Sequence, residues 1–283
     1  MRILVTGSSG LLGTAIATAL APHHQVVGLD RLPGPATSHL GEIEDHGLLV
    51  TAMTGIDSVI HTASLHAPHV GRVDRGTFVR VNVDATRRLL ELAATTGVRR
   101  VVYTSTTSVY GQALVPRDRA VWVTEALRPR PRDIYDETKL AAEALCAQFS
   151  RATSLPVLCL RTARFFPEPP ELIANFRLHR GVDVRDVVAA HLLAVENRAI
   201  PFGIFNISAE SPFRETDTSD LLRDAPRVIR RRLPWAEEAW ATRGWRLPCQ
   251  IDRVYAIEAA QAELGFQPRY NVASLFPDIA DPE

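Results

Sequence analysis

The sequence predicts an α/β fold, a doubly wound parallel sheet with helices on both faces and a smaller C-terminal lobe. Three observations predict it. Short runs rich in Val, Ile and Leu alternate with longer helical patterns from residue 1 to about 162. Glycines at 7, 10 and 13 separate the first run from the first helical pattern. The second run ends on an acid, Asp30. Alternation of this kind calls for parallel strands joined by right-handed crossovers.

The elements follow in order. Residues 2–6 form the first expected strand, 11–20 the first helix and 25–29 the second strand. A weak helix near 45–53 precedes a strand over 58–63. A helix over 77–96 should stop at Gly97, a good residue for a left-handed C-terminal cap. Strands over 101–105 and 157–162 flank a helix over 134–151. Pro167-Glu168-Pro169-Pro170 breaks the pattern, and a short helical piece runs to His179. An amphipathic stretch over 182–197 leads to a last strand over 203–207. Residues 208–283 are mixed and hold Trp235, Trp240 and Trp245. The expected division is a domain over 1–166, rejoined by 182–207, and a smaller lobe from 167–181 and 208–283.

Composition excludes several classes. Thirty-two basic and thirty-two acidic side chains cancel, so no global field recruits nucleic acid or an anionic membrane. No run approaches the eighteen apolar residues of a spanning helix, and the N-terminal apolar run is too short for a signal peptide. Cys146, Cys159 and Cys249 form no paired motif, which fits free thiols in a reducing cytoplasm.

The first thirty residues point to a dinucleotide. Gly7 permits a tight turn after the strand, Gly10 lets backbone approach a pyrophosphate, and Gly13 lets the helix pack closely. The helix N-terminus offers unpaired N–H groups and a partial positive charge. Asp30 can accept both adenosine ribose hydroxyls and repel a 2′-phosphate, which favours NAD over NADP. Arg31 beside it is the opposing signal, because an arginine can pair with that phosphate. In such sheets ligands bind beyond the carboxyl ends of the strands.

Candidate chemistry lies on the helix over 134–151 and at two of those exits. Tyr135 and Lys139 stand one turn apart on one helical face. A free phenol titrates near 10, so a phenolate base at pH 7 needs roughly 4 kcal/mol of help. A nearby ammonium and an oxidised nicotinamide ring have the right sign to give it. The strand over 101–105 runs into Thr104-Ser105-Thr106-Thr107-Ser108, hydroxyls able to bind a substrate alcohol or ketone. His66 and His69 flank Pro68 as candidate substrate-loop residues, and no further Cys or His joins them at metal-ligand spacing. Arg230-Arg231-Arg232 reads either as an anion site or as a solvated surface run.

Taken together, these motifs resemble the extended short-chain dehydrogenase/reductase family, the NAD-dependent epimerase/dehydratase group that includes UDP-galactose 4-epimerases. The resemblance runs from Arg2 to about Ile207, with a weaker echo at 251–270. It rests on T-G-x-x-G-x-x-G at 6–13, Asp30, the His61–Ser64 exit, N-V-x-x-T at 82–86, the hydroxyl run before Val109-Tyr110-Gly111, Y-x-x-x-K at 135–139 and D-V-x-x-A-H at 186–191.

The resemblance implies a Rossmann-type sheet with a substrate-binding lobe, a two-fold homodimer, and these roles. Gly7, Gly10, Leu11, Leu12 and Gly13 would cradle the pyrophosphate, with Asp30 on the ribose and Ala63 and Ser64 beside the cofactor. Thr106 would be the catalytic hydroxyl and Tyr135 the general base. Lys139 would hold the nicotinamide ribose and lower the phenol's pKa, while Asn82 would be a structural anchor. Family dehydratases carry an acid pair after the catalytic threonine. This chain has Thr107 and Ser108 there, which disfavours dehydration. Arg164 stands near the substrate where epimerases carry asparagine, and the 167–182 segment is short. Both features argue against an ordinary nucleotide sugar.

The resulting expectation is an NAD-dependent epimerase or dehydrogenase acting on a secondary alcohol of a sugar or nucleotide-sugar-like substrate by Tyr-assisted hydride transfer. The alternatives are an NAD(P)-binding sensor on the same fold and an NADPH-linked carbonyl reductase.

Overall fold

The structure is a computed structural model that describes residues 1–277. The strands are β1 (Arg2–Thr6), β2 (Gln25–Asp30), β3 (Thr37–Leu40), β4 (Ser58–His61), β5 (Arg100–Thr106), β6 (Val121–Val123), β7 (Val157–Thr162), β8 (Phe202–Ile207) and β9 (Arg253–Tyr255). The first helices are α1 (Leu11–Leu20), α2 (His46–Met53), α3 (Arg75–Val79), α4 (Ala85–Thr95) and α5 (Ile134–Thr153). They are followed by α6 (Pro170–Arg177), α7 (Val184–Glu196), α8 (Thr218–Arg223), α9 (Ala225–Arg232) and α10 (Ala236–Thr242). A π-helical turn, Arg80–Asp84, joins α3 to α4.

Seven strands form one sheet in the order β3-β2-β1-β4-β5-β7-β8. The register pairs Ile3 with Val26 on one side and with Ser58 on the other, and both ladders are parallel. Val157 N–H donates to the Pro201 carbonyl and Ala163 N–H to that of Ile207. The constant offset means β8 runs parallel to β7. Ile3, Leu4, Val5, Val59, Ile60, Val101 and Val102 are buried, as expected of parallel strands covered on both faces. The strand order reverses between β1 and β4, so the glycine turn after β1 opens at a switch point of the sheet.

The chain divides into two compact units. The first comprises Met1–Val109, Pro131–Arg161 and Val188–Phe205, and the second Tyr110–Arg130, Thr162–Val187 and residues from 206 onward. These units place 110–130, 162–166, 182–187 and 206–207 with the smaller lobe, where the expected division had them with the sheet. For 110–130 the reason is β6, which pairs with β9 (Val121 with Arg253, Val123 with Tyr255) and so draws its loop into the second unit. Both strands are three residues long, too short to announce themselves by alternation. The exposed four-residue β3 escapes the pattern for the same reason. Residues 278–283 of the expected lobe lie outside the described residues.

The second unit has its own core. Trp240 stacks on Phe276 at 4.5 Å between centroids, Trp235 and Trp245 close around the same ring, and Trp240 Nε1 donates to Asn175 Oδ1 at 2.7 Å. In the first unit α4 ends as the sequence predicts, with Gly97 at φ +79°. Cys146 and Cys159 are buried free thiols, and Cys249 is an exposed one. Among the described residues, no helix is long and apolar enough to cross a membrane.

Candidate active site

The glycine turn is shaped by close approach. Gly7 has φ +73°, and a Cβ there would sit 2.6 Å from Thr62 Oγ1 and 2.8 Å from Ala63 N. A Cβ on Gly13 would run into the Gly7 carbonyl, so α1 packs directly on the turn. Gly10, by contrast, faces only the Gly7 carbonyl, at 3.4 Å, and leaves space beside the backbone. The first i→i−4 bond of α1 runs from Thr14 N–H to the Gly10 carbonyl at 2.9 Å. The N–H groups of Leu11, Leu12 and Gly13 precede that ladder, at the positive end of the helix. Leu12 is buried and Leu11 half-exposed, so the two side chains anchor and flank this turn.

Asp30 closes the strand beside it. Its Oδ2 accepts Ser9 N–H at 3.0 Å and its Oδ1 accepts Leu32 N–H at 2.9 Å, which fixes the carboxylate's orientation. Each oxygen keeps a second lone-pair direction, enough for the two hydroxyls of a ribose. Arg31 is exposed next to it. The open backbone at Gly10, the free helix end and the oriented acid together fit a dinucleotide.

The β4 exit is held by a polar clasp. Asn82, buried in the π-helical turn, accepts Leu65 N–H at 2.8 Å and donates to the Leu65 carbonyl at 2.9 Å and to Thr138 Oγ1 at 3.0 Å. It thereby ties the Leu65 backbone, just past Ala63 and Ser64, to α5. Beneath lies His61, bonded to Thr6 Oγ1 (2.7 Å) and Thr86 Oγ1 (3.0 Å). Burial pushes its imidazole down to about 3, so it stays neutral.

Three polar rungs tie α5 to β5. The Tyr135 phenol is hydrogen-bonded to Thr106. Lys139 Nζ donates to the Thr104 carbonyl at 2.6 Å and lies 4.2 Å from the centroid of the Tyr103 ring. Glu143 accepts Ser105 Oγ–H at 2.5 Å, and its other partner is the buried Arg161, at 2.9 and 2.6 Å. The spacing of four residues on the helix sets all three on one face. Asp133 starts this helix by accepting Asp136 N–H at 3.0 Å, which fixes where that face begins.

Electrostatics separate the phenol from the ammonium. Burial raises Tyr135 to about 12, while the bond from Thr106 pulls the other way. Burial lowers Lys139 to about 8, opposed by the Glu143 carboxylate. Burial is the largest influence on both groups. The sequence reading also missed one signal: of the 32 Lys and Arg side chains, Lys139 is the only lysine. Arginine cannot release its proton, and lysine can.

The remaining candidates lie as follows. Thr107 is buried, and Ser108 Oγ accepts from Arg132 Nη2 at 3.0 Å, whose Nε reaches Asp136 at 3.1 Å. His66 faces His69 edge-on at 4.5 Å, and burial holds its imidazole below the usual value. Arg164, in the second unit, bonds Glu168 through Nε at 2.8 Å beside Phe165, Phe166 and Phe176. Arg231 and Arg232 both pair with the buried Asp217 at 2.8 Å, and Arg230 pairs with Glu237 at 2.9 Å. The basic run is thus largely a structural clamp on Asp217. Among the described residues no group of three or more His, Cys, Asp or Glu is arranged to hold a metal ion.

The family model of the NAD dependent epimerase/dehydratase family matches residues 3–171. A 3-beta-hydroxysteroid dehydrogenase of Mycolicibacterium neoaurum is 36% identical over 155 residues, 50% of this chain and 41% of that protein. The match therefore spans about two fifths of that relative. A dTDP-glucose 4,6-dehydratase of Streptomyces antibioticus is 28% identical over 96% of this chain and 89% of its own. The solved structure of MoeE5 in complex with UDP-glucuronic acid and NAD superposes with a TM-score of 0.68 at 27% identity, covering 95% of this chain and 94% of that one.

Proposed function

Since this chain belongs to the NAD-dependent epimerase/dehydratase family, we propose that it is an enzyme oxidising or epimerising a secondary alcohol of a small molecule, with Tyr135 as the proton-transfer group. The cofactor is NAD, in keeping with the family and with MoeE5. The observation that carries the reading is the polar ladder of Tyr135–Thr106 and Lys139–Thr104 on adjoining turns of α5.

When bound, NAD supplies the hydride acceptor. The N–H groups of Leu11, Leu12 and Gly13 would hold its pyrophosphate and Asp30 its adenosine ribose, with Ala63 and Ser64 alongside and Lys139 on the second ribose. Thr106 orients the substrate oxygen, and Tyr135 exchanges a proton with it. A phenol at about 12 is neutral at pH 7, ready to donate a proton to a ketone. To accept one from an alcohol it must first be stabilised as phenolate, and the positive charges of Lys139 and of the oxidised cofactor have the right sign.

An epimerase or dehydrogenase is favoured over a dehydratase because Thr107 and Ser108, rather than carboxylates, follow Thr106. An NAD(P)-binding sensor would have no use for Tyr135, Lys139 and Thr106 in this arrangement. Asp30 argues against an NADPH-linked reductase. The substrate class, sugar or nucleotide-sugar-like, is drawn from MoeE5 and the dTDP-glucose dehydratase; His66, Thr107 and Arg164 are its proposed contacts. A cytoplasmic homodimer, associated through α4 and α5, belongs to the same proposal.

The test is a screen of nucleotide sugars, free sugars and hydroxysteroids for reduced-nicotinamide absorbance and for epimer formation by NMR. Turnover of one class by the wild type and its loss in Tyr135→Phe supports the reading. Equal turnover by both proteins would overturn it.

A further inference from the structure

The opposite, amino-terminal edge of the sheet holds a buried cation that the reaction does not use. Arg100, the first residue of β5, is only 1% exposed. Its Nη2 donates to the Ile200 carbonyl at 2.9 Å. Its Nε and Nη1 are buried and have no hydrogen-bond partner. The hydroxyl of Ser58, whose Cα faces Arg100 across the β4–β5 ladder, is likewise buried without a partner.

Among the described residues no acid acts on this charge. The charged group that acts on Arg100 is Arg198, another cation, and burial with that repulsion lowers the guanidinium to about 10. It is still protonated at pH 7. Asp57, the acid beside Ser58, already accepts Arg2 N–H at 2.7 Å and pairs with Arg99 at 3.3 Å. A guanidinium withdrawn from water ordinarily has both its hydrogen bonds and its charge answered. Here only Nη2 has a hydrogen-bond partner, and the exposed Arg198 brings a second positive group to the same edge.

We propose that Arg100 and Arg198 form a small-anion site, in which a chloride-sized inorganic anion takes the free N–H groups of Arg100. With Arg100 only 1% exposed, the anion proposed is a monatomic one. The site lies wholly in the first unit, at the end of the sheet away from the glycine turn. Its effect is on stability, because an anion bound only by the folded chain shifts unfolding by mass action.

Bromide is the probe. Crystals of the full chain grown in sodium bromide should give an anomalous peak within hydrogen-bond reach of Arg100 Nε or Nη1. Melting in sodium bromide, compared with sodium gluconate at equal ionic strength, should show a saturable rise in Tm of about 2–4 °C. The rise should vanish in Arg100→Met and shrink in Arg198→Gln. Should Arg100→Met fail to fold, the exposed Arg198→Gln carries the comparison. Density at Arg100 without anomalous signal would mean that a water, not an anion, answers the guanidinium, and would overturn the proposal. So would identical melting of the wild type in both salts.

Discussion

Lys139 Nζ reaches the carbonyl oxygen of Thr104 at 2.6 Å, fastening the only lysine of the chain to the strand that delivers Thr106. The bond fixes the ammonium one helical turn from Tyr135. Burial holds this lysine near 8, and Glu143, anchored by Arg161 and Ser105, supplies the charge that keeps it from falling further. Because there is one lysine, its side-chain carbon resonances give a direct titration. The NAD-free chain should show a pKa of about 8, and Glu143→Gln should move it lower. A value near the ordinary 10.4 in the wild type would contradict this account of the pocket.

The proposed reader of the adenosine ribose is Asp30, whose orientation is set by the N–H groups of Ser9 and Leu32. Asp30→Ala removes charge-assisted hydrogen bonds worth about 1.5–3 kcal/mol, so NAD affinity should fall roughly 10- to 100-fold. NADP should lose much less, since its 2′-phosphate no longer meets a carboxylate. Calorimetric titration with both dinucleotides decides the matter, and equal losses would remove the ribose role.

Asn82 acts through backbone. Asn82→Ala strands the buried N–H and carbonyl of Leu65, at a cost of about 2–4 kcal/mol. Thermal melting should show a Tm lower by several degrees, and NAD should bind more weakly as the Ala63–Ser64 exit loosens. An unchanged Tm would show that the clasp carries no load.

Acid should weaken the fold before the carboxylates titrate. Burial lowers both His61 and His179 to about 3, whereas unfolded histidines titrate near 6.5. Below 6.5 the unfolded chain therefore binds two protons that the native chain refuses. Stability conferred by the neutral imidazoles is complete above 6.5 and declines as pH falls toward 3. The slope is about 1.4 kcal/mol per pH unit for each histidine. Urea unfolding at pH 7, 6, 5 and 4 measures it, and a flat stability between 6 and 4 would contradict it.

Much of this was legible in the sequence, for identifiable reasons. Gly7, Gly13 and Asp30 act through backbone shape and a strand tip, which fixed spacing encodes directly. Tyr135 and Lys139 are four apart on a helix whose start Asp133 fixes, so their shared face was legible too. The partners of Lys139 were not, because Thr104, Glu143 and Arg161 meet only once β5, α5 and β7 are assembled. The pairing that draws 110–130 away from the sheet was not legible, since β6 meets its partner β9 only far along the chain. Nor does spacing alone disclose that burial raises Tyr135 against the pull of its Thr106 bond.

The central claim is that the Tyr135 phenol moves the proton while other groups hold the cofactor. The most direct measurement is Tyr135→Phe, assayed for turnover on the substrate found by screening and for NAD affinity in the same preparation. Turnover should fall about 10²- to 10⁴-fold with NAD affinity nearly unchanged. Undiminished turnover with intact NAD binding would contradict the assignment outright.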